Sequence, residues 1–252
     1  MKMQNKRLKE KQKANEHSKR LSEIKARRRG ETILTRKAPE LEENPIYLIY
    51  CEGKNTEPSY FKKFKLSSVT IDSFGEGKNT LSLVERAKQL ADEAQNKNKK
   101  YDKVWCVFDA DPKPDNPNQL KNFNAAIDAA KKYGFGVAYS NHAFEYWLLL
   151  HFDDHQGGSM NRNLYGDKLN SYLNPLGIHY DFDGNKTINL DFFIELTTVV
   201  KTDRKGLKFT RADIASLRAE KIYKRLDHKN PGLEESSTSV FQLVNELKKI
   251  IE

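Results

Sequence analysis

Three carboxylates have the types and spacing from which a reaction could be built. Glu52 stands in Tyr50-Cys51-Glu52-Gly53-Lys54, directly after the apolar run Ile46 to Tyr50. Asp109 and Asp111 stand in Val107-Phe108-Asp109-Ala110-Asp111-Pro112, directly after the apolar run Val104 to Phe108. Short continuous apolar runs of this kind read as strands buried on both faces. Ligands of a parallel α/β sheet bind outside the carboxyl ends of its strands, so both acid clusters are expected at that edge. Carboxylates brought together repel one another unless a cation lies between them. Oxygen donors of this hardness suit Mg²⁺ or Mn²⁺ rather than zinc. Gly53 lets the backbone approach a ligand, Lys54 could offer its charge to a phosphate, and Glu57 could face the same site from the start of a helix. No basic residue near either cluster would obviously neutralise it. Each segment alone is more often a loop or a helix cap. The two together, at equivalent ends of two buried strands, favour a site.

The elements that would position these groups follow from periodicity. After the first strand, Glu57 to Lys65 reads as a helix, Val69 to Ile71 as a short strand, and Thr80 to Ala94 as a helix with Ser82 and Glu85 at capping-box spacing. After the second apolar run come a helix from Gln119 to Tyr133, with Gly134 in the C-cap place, and a strand from Phe135 to Tyr139. This alternation predicts an α/β fold: a mostly parallel sheet flanked by helices. Beyond it the chain reads as mainly helical: Ala143 to Phe152, Met160 to Leu173, Asp191 to Lys201, Thr210 to about Leu226, and Ser237 to Ile250. Asp181-Phe-Asp-Gly184 reads as a turn and residues 227–236 as an exposed loop. The expected organisation is a flexible basic arm (1–40), an α/β core (41–152) and a helical C-terminal region packed on that core (153–252).

Charge is unevenly placed. Residues 1–37 hold 14 Lys/Arg against 4 Glu, a net of +10, while the other 215 residues hold 30 Lys/Arg against 31 Asp/Glu. The basic character therefore belongs to the arm, which is either a solvated tail or a segment that meets phosphates or an acidic partner. No apolar stretch is long enough to span a membrane, and no apolar segment of a secretory leader follows the basic N-terminus. Cys51 and Cys106 lie in or beside apolar runs without a Cys-x-x-Cys, as core thiols of a cytoplasmic protein would.

Further candidates are weaker. Asn141 and Glu145 follow the fourth strand and could reach the same edge; a carboxylate in so apolar a helix needs a partner. His151 and His155 have i,i+4 spacing, yet His151 at a helix end reads better as a dipole-favoured or buried histidine. Gly75 to Thr80 does not make a P-loop, because Asp72 stands where the first glycine belongs and Asn79 where Ser or Thr would touch Mg²⁺. No nucleophile elbow is present. Lys201, Arg204, Lys205, Lys208 and Arg211 form a basic cluster, usually a solvated loop, which could guide a nucleic-acid backbone if it flanks the acids.

Two segments carry a resemblance. Cys51-Glu-Gly-Lys-Asn-Thr-Glu-Pro-Ser-Tyr-Phe61 strongly resembles the opening motif of RloB-family proteins, and Asn141-His-Ala-Phe-Glu-Tyr-Trp-Leu-Leu-Leu-His-Phe152 resembles their second signature. Gly77-Lys-Asn-Thr80, the closing Ser236-Ser-Thr-Ser-Val240 and the basic arm also fit, so the likeness covers roughly residues 40–250. It implies a Toprim-like fold, in which Glu52, Asp109 and Asp111 bind Mg²⁺ (or Mn²⁺). It further implies a metal-dependent endonuclease that serves bacterial anti-phage defence beside an ABC-type ATPase, as in the AbiL abortive-infection pair. One departure stands out: Pro112 and Lys113 follow Asp111 with no further carboxylate at the next alternate position, so a second metal would need Glu57 or Glu145. Glu52 could instead act as general acid or base. The rival expectation is a non-catalytic docking subunit of the ATPase complex. DNA or RNA as substrate, and whether the chain forms a homo-oligomer, stay open in the sequence.

Overall fold

The computed structural model describes residues 11–22, 25, 45–73, 80–112 and 118–251. By its internal contacts the chain divides into residues 1–43 and 44–252. In the first unit, helix α1 covers residues 11–22, every one of them exposed. Its Lys, Glu, Gln and Asn content leaves no apolar stripe to bury. The remainder of the expected arm, and the Gly75–Asn79 segment, lie outside the described residues.

The second unit is built on one sheet. Strands β1 (Tyr47–Cys51), β2 (Val69–Ser73), β3 (Lys103–Asp109) and β4 (Gly136–Ser140) run in the order β2-β1-β3-β4, and each neighbouring pair is parallel. Helices α2 (Thr56–Lys62), α3 (Thr80–Asn96) and α4 (Gln119–Lys132) are the crossovers. Side chains alternate across the strands. Leu48, Tyr50, Cys106 and Phe108 pack with α3 and α4 on one face. Ile49, Cys51, Trp105 and Val107 enter the larger core on the other. That core takes in α2 together with α5 (Glu145–Leu150), α6 (Asn163–Leu173), α7 (Leu190–Thr197), α8 (Arg211–Tyr223) and α9 (Val240–Ile251). The helical C-terminal part and the sheet thus share one apolar interior. Both cysteines are free and buried, and no helix among the described residues is long and apolar enough to cross a membrane.

The strand order explains where a site can form. β1 connects outward to β2, and β3 connects in the opposite direction to β4, although β1 and β3 are neighbours. A crevice opens where such connections part, between the end of β1 at Cys51 and the end of β3 at Asp109.

Several local expectations need correction. Helix α3 begins at Thr80, so Ser82 lies in its first turn rather than at its cap, and the Glu85 carboxylate accepts from the Tyr133 hydroxyl at 3.0 Å. The helix expected to Lys201 stops at Thr197, where the β-branched run Thr197 to Val200 favours an extended chain. It gives way to a hairpin of β5 (Val199–Thr202) and β6 (Lys208–Thr210), whose end carries the Thr210–Asp213 capping box of α8. The last helix starts at Val240, not Ser237. Residues 236–239 instead run buried along the outer edge of β4, with an antiparallel bridge between Ser140 and Thr238. The 227–236 segment is not wholly exposed: Pro231 and Gly232 are buried, and Gly232 N–H donates to Asn124 Oδ1 at 2.9 Å.

Candidate active site

The β1–α2 turn carries the first group of candidate side chains. Glu52 leaves the sheet while its N–H still donates to Val107 O at 2.8 Å, so it stays registered against β3. Glu57, in the first turn of α2, is 5 % exposed. Its carboxylate folds back over the turn and takes the N–H groups of Gly53 and Glu57 itself. A Cβ at residue 53 would stand 2.5 Å from Glu57 Oε2, so a side chain there would push this carboxylate aside. The glycine expected to admit a ligand thus admits a neighbouring carboxylate.

β3 supplies the second group. Asp109 N–H donates to Glu52 Oε2 at 3.1 Å, and Asp109 Oδ2 accepts from Phe144 N–H at 3.1 Å. The carboxylate therefore spans from its own strand to the residue that enters α5. Ala110 N–H continues the ladder to Ser140 O at 2.9 Å and carries Asp111 beyond the sheet. There Arg162, just before α6, pairs with Asp111 at 2.6 Å. The sequence offered no base that would obviously neutralise the acids; the fold brings one from about fifty residues downstream. The first residue of α5, Glu145, is 3 % exposed and accepts from the Tyr180 hydroxyl at 2.7 Å. Tyr180 Oη also lies 3.1 Å from Thr56 Oγ1.

Glu52, Lys54, Glu57, Asp109, Asp111 and Glu145 line one cleft of about 200 Å³, with Arg162 and Lys186 also on its wall. Burial pushes the Glu57 carboxyl up to about 7, with Glu145 and Glu52 adding to the shift and the two backbone N–H groups opposing it. Burial also holds Asp109 well above the usual aspartate range; Glu57, Glu52 and Glu145 add to it and Arg162 works against it. Burial raises the Tyr180 phenol, which stays protonated and remains a donor to Glu145.

Other expected residues lie elsewhere. Lys201, Arg204, Lys205 and Lys208 are exposed on the β5–β6 hairpin and its turn, and Arg211 is engaged by Glu195 at 3.7 Å and by the Phe152 ring. None of the five lines the cleft. Asn141 is an anchor: its amide donates to Ser237 Oγ at 2.9 Å and Pro231 O at 3.2 Å. His151 is buried, donates Nδ1–H to Trp147 O at 3.0 Å, and has its pKa pushed down to about 3 by burial. Burial thus outweighs any helix-end effect, and the ring is neutral.

Among the described residues no three Asp, Glu, His or Cys side chains form a ready-made ion cage. The donor chemistry nevertheless fits one ion class. Mg²⁺ keeps several waters and takes one or two carboxylates plus substrate oxygens, rather than a closed protein shell. Carboxylates at a cleft opening suit that demand, and cysteine or histidine is absent from the wall.

A parallel α/β sheet with a carboxylate cluster at its topological switch point defines the class of this protein: an acid-centred α/β protein with helices on both faces of the sheet. A family model described as RloB-like protein matches residues 47–247, and the chain belongs to that family. No curated protein and no solved structure matches it.

The sequence missed Arg162, Thr56, Tyr180 and Lys186 as members of the cleft or its support. Thr56 lay within the Cys51–Phe61 motif and could have been read from it. Arg162, Tyr180 and Lys186 come from segments with no pattern that points back to the sheet; only the Asp181–Gly184 turn between the last two was legible.

Proposed function

We propose that this chain is a Mg²⁺-dependent nuclease, the effector of a bacterial anti-phage, abortive-infection system controlled by a partner ABC-type ATPase. The observation that carries the reading is the meeting of five carboxylates in one cleft at the switch point, with Lys54, Arg162 and Lys186 on the same wall. An acidic floor beside cationic side chains matches a phosphodiester bound together with a divalent ion. Glu52, Asp109 and Asp111 are the residues that would hold Mg²⁺ or Mn²⁺. When bound, the ion supplies polarisation of the scissile phosphate and stabilises charge on the attacking or departing oxygen.

The chain's own groups have separable tasks. The Phe144 and Asp109 N–H groups fix the carboxylates of Asp109 and Glu52 before anything binds, which removes reorganisation at the moment of reaction. Glu57, poised near neutrality, can hold a proton at its Oε atoms and exchange it with a water or a leaving oxygen. Tyr180 pins Glu145 as an acceptor. Lys54, exposed at the mouth, offers a charge to the phosphate. Family membership supports the defence role and the ATPase partner, since proteins that this sequence resembles are associated with both.

Sequencing DNA and RNA fragments from cells with the activated system, wild type against Asp109→Asn, tests the proposal. Specific cleavage is expected in the wild type and none in the variant, with the purified variant retaining its circular dichroism spectrum. Equal cleavage by both would defeat it. A docking role is the second reading, favoured by the concentration of a net +10 in residues 1–37. It predicts that Asp109→Asn still protects cells while deletion of residues 1–38 does not.

A further inference from the structure

Lys186 reaches the acidic cleft from a loop that belongs to neither sequence motif, and the loop is built with unusual care. Lys186 has φ +51°, the left-handed region that residues with a Cβ seldom occupy. Such a conformation persists only where the surroundings over-determine it, and here they do so at four points. The Asp181 carboxylate accepts from Gly184 N–H at 3.0 Å and from Asn185 N–H at 2.8 Å, while Lys186 N–H donates to Asp181 O at 3.0 Å. Before the turn, Asn170 on α6 clasps Tyr180 by two bonds of 2.8 Å, one to its carbonyl and one from its N–H. Past the turn, Ile188 N–H donates to Ser59 Oγ on α2 at 2.9 Å, and the Ile188 side chain is fully buried. Phe182 seats directly on α6 at Gly166, where a Cβ would stand 2.6 Å from its ring. Each of these devices holds the loop in place, and the two ends deliver different groups: Tyr180 to Glu145, and Lys186 to the cleft wall.

A lysine whose only role was solubility would need none of this. The Lys186 ammonium lies 4.9 Å over the Phe182 ring, and within the described residues it forms no ion pair with the carboxylates of the cleft. An aromatic face holds a cation without neutralising it. A cation stationed beside five carboxylates but left available on an aromatic face suits an anion that arrives from outside.

We propose that Lys186 is a substrate-binding residue that contacts a phosphate of the nucleic-acid backbone next to the reacting one. This rests on the nuclease reading and extends it. The recognised chemistry is a phosphate ester, whether from a polynucleotide or a free nucleotide. A polynucleotide is the source favoured here, because the exposed Lys54 lines the same cleft, so that two neighbouring phosphates could each meet a lysine.

The full-length chain, with Ca²⁺ in place of Mg²⁺ to limit turnover, would be titrated into fluorescein-labelled single-stranded DNA, single-stranded RNA and a labelled nucleoside triphosphate. Anisotropy would be read at several salt concentrations. Lys186→Ala is expected to weaken polynucleotide binding about tenfold and to lower the salt slope by about one, with Lys186→Arg restoring both. Lys186→Gly adds a control for structure: glycine relieves the left-handed strain, so its melting temperature should equal or exceed that of the wild type while binding falls. Wild-type affinity and salt slope in Lys186→Ala would overturn the assignment. So would a destabilised Lys186→Gly, which would make the side chain a brace for the loop. Weakened binding of the nucleotide alone would reject the polynucleotide and overturn the proposal as stated. Cleavage by Asp109→Asn, read separately, would remove the nuclease reading without touching these binding outcomes.

Discussion

Replacing Glu57 by glutamine should change how the protein's stability depends on pH. The Glu57 carboxyl is raised from 4.5 to about 7, first by burial and then by Glu145 and Glu52. Below pH 4.5 both the folded and the unfolded chain hold the proton. Between 4.5 and 7 the folded chain keeps a proton that the unfolded chain has lost, so the stabilisation from this group declines as pH rises and is gone above the folded value. About 2.5 units at about 1.4 kcal/mol each gives ~3 kcal/mol. His151 works the other way: its folded value near 3 against 6.5 unfolded makes stability fall on acidification. The wild-type curve alone therefore mixes opposite slopes, and the difference between variant and wild type carries Glu57 together with the part of the Asp109 shift that Glu57 causes. Urea unfolding followed by tryptophan fluorescence, in buffer with chelator, should show Glu57→Gln gaining ~3 kcal/mol over the wild type as pH is raised from about 4.5 to about 8. Mg²⁺ should shrink that gain, since a bound cation removes the repulsion the variant relieves. A difference that stays constant with pH would refute the reasoning, because it would mean that Glu57 is ionised alike in both states.

Three further outcomes follow from the same geometry. Tyr180→Phe leaves Glu145 and Thr56 without their buried hydroxyl partner and should cost about 1–3 kcal/mol in chemical denaturation; a loss under about half a kcal/mol would show that water replaces the phenol. Arg162→Gln removes the cation paired with Asp111 and should shift the Mg²⁺ dependence of thermal stabilisation to about three- to tenfold lower concentration, whereas an unchanged midpoint would place Asp111 outside the ion's reach. His151→Leu should flatten the acid limb of the stability curve, by up to ~5 kcal/mol between pH 6.5 and 3, since the buried neutral ring no longer has to be reckoned against a charged unfolded one. An acid limb unaltered by that change would assign it to other groups.

The sheet could be read because β1 and β3 are buried on both faces and so appear as unbroken apolar runs; their alternate side chains serve two different cores. Glu52, Glu57, Asp109 and Asp111 were legible as site candidates for the same reason, since strand ends and the turns after them are local properties. Glu145 was visible as a misplaced charge in an apolar helix. What the sequence hid was long-range. Nothing around Arg162 marks it as a partner of Asp111, and nothing around Tyr180 or Lys186 points to the sheet edge, because these contacts are made by tertiary packing. The hairpin of β5 and β6 was hidden because the helical spacing of Asp191 to Leu196 runs into the β-branched residues without a proline or glycine to mark the break. The segment Ser236 to Ser239 looked like a helix start, since serines are common caps; its competing use as an edge cover for β4 depends on a strand far back in the chain.

That edge cover also orders events in time. Ser140 and Thr238 meet across 98 residues of sequence, so a nascent chain has all four strands synthesised well before the residues that shield the outermost one. Until then the flank of β4 presents unpaired backbone groups, the kind of surface on which chains join wrongly. Asn141, which grips Ser237 and the Pro231 carbonyl, stands only four residues before Glu145. The contacts that cover the flank of β4 therefore also anchor the segment that leads into Glu145 and the cleft.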